Sequence, residues 1–112
     1  MFRKVRQALG ITAFGANVLV IEPGEVGTPH YHEEQDELYF VHKGRAIFDF
    51  PDNRIELGPG WLVHVEAETP RRVTNPGSEQ LVMLAVGAKG GYVGRDGQPA
   101  SPKAFLRDVD SD

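Results

Sequence analysis

Glycine and proline interrupt this chain so often that no long helix fits between them. Thirteen Gly and eight Pro stand among 112 residues, and the segments they separate are short runs rich in β-branched and aromatic side chains. The clearest are Ala16 to Ile21 (ANVLVI), Glu37 to His42 (ELYFVH), Arg45 to Phe50 (RAIFDF), Trp61 to Val65 (WLVHV) and Gln80 to Val86 (QLVMLAV). Each has the length of a strand, falls short of a stable helix and ends at a turn signal. His42-Lys43-Gly44-Arg45 and Phe50-Pro51-Asp52-Asn53 read as hairpin turns, and Leu57-Gly58-Pro59-Gly60 as a tight bend. No apolar i, i+3, i+4 pattern persists beyond about two turns. Many short strands between regular turns predict an all-β sandwich or barrel.

A chain of this length has room for one hydrophobic core, so residues 1–112 read as a single domain with its barrel core at about 10–86. From Gly87 onward the composition shifts to Gly87, Gly90, Gly91, Gly94 and Gly97, then Pro99 and Pro102 and an acidic end. That predicts a loop-rich tail over 87–112, with one short ordered piece around Ala104 to Leu106. Hydrophobic residues at 40% and charged residues at 25% are the mix of a globular protein. The formal net charge of −4 argues against nucleic acid and against an anionic membrane surface as partners. There is no cysteine, which excludes disulfides, thiolate metal sites, iron–sulfur clusters and cysteine nucleophiles. Met1 to Arg6 is basic but leads into no long apolar run, and no stretch has the apolar length of a membrane span. A cytoplasmic protein is expected.

The chemistry concentrates between Gly24 and Glu37. His30 and His32 are two apart, so on an extended segment both imidazoles point to one face. Glu37 begins the next run and can return to that face. Two histidines and a carboxylate suit a divalent first-row metal and leave positions open for water or substrate. Spacing alone leaves a second reading open, a solvated polar loop carrying two surface histidines.

The wider pattern is more specific. Gly24, five residues, His30, one residue, His32, four residues, Glu37, six residues, Gly44 matches the first cupin motif at every fixed position. The chain resembles the small single-domain cupins over roughly residues 10 to 86. The resemblance implies a double-stranded β-helix, or jelly-roll barrel, with His30, His32 and Glu37 as ligands of a divalent metal such as Mn, Fe, Ni or Zn. The second cupin motif keeps its outer frame, Gly60 and Asn75, but has Glu66 in the proline place and Glu68 in the second glycine place. Arg71 takes the place of the fourth ligand, and a permanently protonated guanidinium cannot coordinate a cation.

Three arrangements are open. The metal keeps three protein ligands; or Arg71 pairs with Glu37 and no metal binds; or both hold, with Arg71 as the fork for a substrate carboxylate. A surface ion pair of Arg71 with Glu66 or Glu68 is the plainer reading. Tyr39, Val41, Phe48, Phe50 and Trp61 line a pocket or simply fill the core. His64 alternates away from Trp61, Val63 and Val65 and reads as outward; His42 reads as a hairpin lip. Glu25, Glu33, Glu34 and Asp36 read as a solvated acidic rim that favours cation entry.

Two function classes fit. One is a cupin holding a divalent metal and a small organic, carboxylate-bearing ligand, with Arg71 and Tyr39 as ligand-binding residues; as an enzyme it would be an oxygenase, isomerase or decarboxylase-like cupin. The other is a non-catalytic, metal-free binding or sensor barrel with Arg71 as anion clamp. A small cysteine-free β domain has edges and apolar faces to cover, and Phe2, Val5 and Leu9 suit a contact between two copies. Sedimentation at micromolar concentration is expected to show a homodimer, and a stable monomer would contradict this.

Overall fold

Leu81 to Ala88 (LVMLAVGA) buries every second residue, Leu81, Met83, Ala85 and Gly87, as a strand does when one face meets a core. In the computed structural model, which describes residues 2–105, this strand is the spine of the larger sheet. The elements run β1 (Phe2–Arg3), α1 (Val5–Leu9), β2 (Gly15–Ile21), β3 (His30–His32), β4 (Asp36–Lys43), β5 (Ala46–Asp49) and β6 (Arg54–Leu57). They continue as β7 (Leu62–Val65), β8 (Arg72–Thr74), β9 (Leu81–Ala88) and β10 (Gly97–Pro99).

A five-stranded sheet has the order β1-β2-β9-β4-β7, a three-stranded sheet the order β6-β5-β8, and β10 and β3 form a two-stranded sheet. The bridges Val26 to Thr74 and His30 to Arg71 set the β3 segment beside β8, and β10 pairs with the other side of β3. This is a jelly-roll of antiparallel strands closed around one core. Tyr39, Val41, Phe48, Leu81 and Met83 meet at its centre, with Tyr39 and Phe48 edge to face at 5.0 Å. No helix among the described residues is long and apolar enough to cross a membrane.

The turn at Phe50 to Asn53 is the expected hairpin, joining β5 to β6 with Asp49 opposite Arg54. The turn at Gly44 is not. Strand β4 pairs with β7 and β9, whereas β5 pairs with β6 and β8, so Gly44 carries the chain from one sheet to the other. It does so at φ 87°, and a Cβ there would meet the Gln80 carbonyl oxygen at 2.5 Å. Only glycine has both the backbone freedom and the missing atom. Asn75 closes the same corner from within: its Nδ2 donates to the carbonyls of Ile21 (2.9 Å) and Glu79 (2.8 Å).

Trp61 departs from its expected place. It takes no part in the β7 alternation because it closes the Gly58 turn, and it is 66% exposed. His64 is outward and exposed, and His42 is exposed as well. In the segment after Gly87, β10 and a short 3-10 turn at Pro102–Ala104 are ordered; Leu106 lies outside the described residues. Leu9 is exposed and Val5 half-buried, while the Phe2 side chain lies outside the described residues.

Gly24 and Gly44 both have positive φ, but a Cβ on Gly24 meets nothing within 4 Å. Gly24→Ala is expected to cost about 1 kcal/mol, the left-handed strain alone. Gly44→Ala adds a backbone clash and is expected to cost roughly 3 kcal/mol. Urea unfolding of the two variants checks this, and equal losses would contradict it.

Candidate metal centre

Three short extended pieces bring five side chains to one end of the barrel. In β3, alternation sends His30 and His32 to one side and Tyr31 to the other. In β4 the same alternation turns Glu37, Tyr39 and Val41 inward. Arg71 stands opposite His30 across a pair of backbone hydrogen bonds, His30 N to Arg71 O at 3.0 Å and Arg71 N to His30 O at 2.8 Å. The position that would hold a fourth ligand therefore faces the other three.

The Nε2 atoms of His30 and His32 lie 3.8 and 3.0 Å from Glu37 Oε1. One ligand atom from each of the three residues falls within 4.8 Å of the others. Both histidines have their Nδ1 engaged elsewhere. His30 Nδ1 lies 3.0 Å from the Thr28 carbonyl and His32 Nδ1 lies 2.8 Å from Asp96 Oδ1. Carbonyls and carboxylates only accept, so each Nδ1 donates to its oxygen; Gln35 Nε2, 3.2 Å from His32 Nδ1, donates to the same Asp96 oxygen, and in the neutral form of each ring Nε2 is the nitrogen free to ligate. His32 Nε2 is buried with no hydrogen-bond partner among the described residues. Two imidazole nitrogens and a carboxylate oxygen converging on one point are a donor set that fits a divalent ion.

The electrostatics are those of a coupled cluster. Burial alone would raise the Glu37 carboxyl, but the imidazoles of His30 and His32 and the Tyr39 hydroxyl hold it well below the usual carboxylate range. Burial opposes charging of His32, yet Glu37 and Asp96 outweigh it and raise its pKa. Tyr39 donates to Glu37 Oε1 at 2.5 Å, and burial, with the Glu37 charge, pushes its phenol well above the ordinary value.

Arg71 is fully buried, which removes the surface ion pair with Glu66 or Glu68. Its Nη2 donates to the main-chain carbonyl of Glu66 at 2.9 Å, and Nη1 lies 3.6 Å from Glu37 Oε1. Nε and Nη1 have no hydrogen-bond partner among the described residues. Unmet donors on a buried guanidinium are of the chemistry that an oxyanion would satisfy. A broad groove is lined by Phe50, Ile55, Val63, Val65, Glu33 and Glu34 among others, and none of His30, His32, Glu37, Tyr39 and Arg71 borders it.

The sequence pattern picks out His30, His32, Glu37, Tyr39 and Arg71, and the structure brings all five together. It misses Asp96. This carboxylate accepts from His32, from Gln35 Nε2 at 2.5 Å and from the backbone N–H groups of Glu34 and Gln35 at 2.8 and 3.0 Å. Burial would raise its pKa, but those donors hold it well below the carboxylate range. In Gly94-Arg95-Asp96-Gly97 an aspartate between glycines reads as a turn residue, and no local signal says otherwise.

Comparison with known proteins places this geometry. The cupin domain matches residues 17–87. A sugar phosphate isomerase from a cupin superfamily, from Silicibacter pomeroyi, superposes with a TM-score of 0.73 at 27% identity, covering 98% of this chain and 77% of that one. A conserved Klebsiella pneumoniae protein with a double-stranded beta-helix domain gives a TM-score of 0.71 at 19% identity, covering 80% and 76%, a likeness of fold. An uncharacterised protein of Methanocaldococcus jannaschii is 23% identical over 86 residues, 75% of this chain, which spans 62% of that relative's length.

Breaking the Glu37–Arg71 pair from the acidic side leaves a buried, unanswered cation. Glu37→Gln is expected to cost about 3–5 kcal/mol in the metal-free protein, with most of the loss recovered in Glu37→Gln/Arg71→Met. Thermal and urea unfolding of the single and double variants measure it. A single variant as stable as the parent would contradict the pairing.

Proposed function

The chain belongs to the cupin family, and on that premise we propose that it binds a divalent metal together with a small, oxygen-rich anionic molecule. Arg71 carries this reading. Among the described residues its buried Nε and Nη1 lack acceptors, and Glu37 is close to only one of them. A carboxylate or phosphate supplies the missing oxygens. Two neutral imidazoles and one carboxylate leave a bound divalent ion with about one net positive charge, and Arg71 adds another. Two cations in one small cavity call for an anion between them.

His30, His32 and Glu37 would hold the metal, which supplies Lewis-acid polarisation of a ligand oxygen. Tyr39 fixes the rotamer of Glu37 through its 2.5 Å hydrogen bond. Arg71 orients the anionic end of the ligand, and the barrel wall of Tyr39, Phe48 and Val65 limits water around it. The likeness to the Silicibacter pomeroyi isomerase supports a phosphorylated sugar as the ligand and isomerisation as the reaction. A second reading, a metal-free binder, draws support from the Glu37–Arg71 pair, which balances the site's charge without a metal.

Calorimetric titration with manganese, iron(II), nickel and zinc, each with and without inorganic phosphate, separates the two. Metal affinity is expected to rise in the presence of phosphate. Arg71→His is expected to tighten metal binding without phosphate by at least about tenfold, since it exchanges a repelling charge for a ligand. A parent that binds phosphate but no metal favours the second reading; an Arg71→His protein that binds metal no better contradicts the first.

A further inference from the structure

We propose that Asp96 is a positioning residue for this centre, locking the His32 ring so that Nε2 offers its lone pair to the site. The inference rests on the metal reading above and assigns a role to a segment that the sequence presents as tail. Asp96 is 8% exposed and its two oxygens have separate duties. Oδ2 accepts the N–H groups of Glu34 and Gln35 at 2.8 and 3.0 Å, which pins the carboxylate to the turn between β3 and β4. Oδ1 is then held at 2.8 Å from His32 Nδ1 and also accepts from Gln35 Nε2 at 2.5 Å, an amide that itself lies 3.2 Å from Nδ1.

The register of β10 makes this placement a property of the fold. Gly97 lies opposite His32 and Pro99 opposite His30, and Glu33 N donates to the Asp96 carbonyl at 3.2 Å. Asp96, one residue before β10, therefore arrives beside the ring whenever the strand pairs. Two carboxylates flank the ring, but only Asp96 is hydrogen-bonded to it; Glu37 Oε1, 3.0 Å from Nε2, makes no hydrogen bond there, so in the neutral ring the proton belongs on Nδ1 and Nε2 is free to ligate. His30 obtains the same outcome locally, from the Thr28 carbonyl two residues away, and does not depend on Asp96. It is an internal control.

Asp96→Asn separates positioning from mere support of the turn. The amide oxygen can keep the two backbone N–H groups, which turns the amide nitrogen, a donor, toward His32 Nδ1. Gln35 Nε2, 3.2 Å from Nδ1, loses its Asp96 acceptor in the same variant, so Nδ1 then faces donors and the ring accepts there and carries its proton on Nε2. Long-range proton–nitrogen NMR of the metal-free protein at alkaline pH, where imidazole is neutral, reads the tautomer directly. The parent is expected to show both rings protonated at Nδ1. Asp96→Asn is expected to switch His32 to the Nε2–H form, leave His30 unchanged, keep a melting temperature close to the parent's and bind zinc about 10–100-fold more weakly. Asp96→Ala, which also frees the turn, should lower both melting temperature and zinc affinity. An Nε2–H tautomer at His32 in the parent would overturn the proposal. So would an Asp96→Asn protein with the parent's tautomer and zinc affinity. A parent that takes up no zinc, yet shows the His32 tautomer that Asp96→Asn inverts, would count against the metal reading while supporting the positioning role.

Discussion

Arg71 lies wholly inside the barrel with Glu37 Oε1 3.6 Å away, and a permanently charged group there has to be answered within the fold. Glu37 answers part of the charge, and the Glu66 carbonyl takes one N–H. Glu37 in turn is held by the Tyr39 hydroxyl and flanked by two imidazoles. Each of these residues is fixed by strand alternation or cross-strand pairing, so the cluster depends on the docking of β3, β4 and the segment before β8. Among the described residues, Arg71 Nε and Nη1 and His32 Nε2 are buried without a hydrogen-bond partner, which leaves this polar core incomplete. A cation and an anion together would complete it.

Much of this is legible in the chain because strands translate sequence spacing into direction with a period of two. His30 and His32, or Glu37 and Tyr39, share a face by that rule alone. The glycine and asparagine corners are legible for a related reason: Gly44 and Asn75 occupy backbone situations that few residues tolerate. The path of the chain beyond Gly44 is harder to read. A tight turn between two strand-like runs looks the same whether it closes a hairpin or crosses between sheets, and only the pairing of β4 with β9 decides. Trp61 shows a further limit, since strand alternation does not extend into the turn that precedes β7.

Asp96 is illegible for a physical reason. Its hydrogen bond to His32 joins residues 64 apart, made when β10 docks on β3, and neither partner changes the local pattern around the other. Burial of Arg71 is only half legible: its place in the degraded second motif puts it near the centre, but whether it faces in or out depends on the pairing of His30 with Arg71. Replacing a neutral ligand by a cation at that place changes what the barrel accepts. On the proposed reading it weakens the hold on a bare metal and adds an anchor for an anion. The chain thereby keeps the family's geometry while altering the charge of its fourth corner.

The central claim is that His30, His32 and Glu37 bind one metal through two Nε2 atoms and a carboxylate oxygen, with no contribution from Arg71. X-ray absorption at the zinc edge of the stoichiometrically loaded protein tests it most directly. The expected spectrum has a first shell of nitrogen and oxygen only, with two imidazole ligands at about 2.0–2.1 Å whose outer-ring scattering falls to one in His32→Ala. A spectrum of hydrated zinc without imidazole scattering, or one unaltered in His32→Ala, would contradict it.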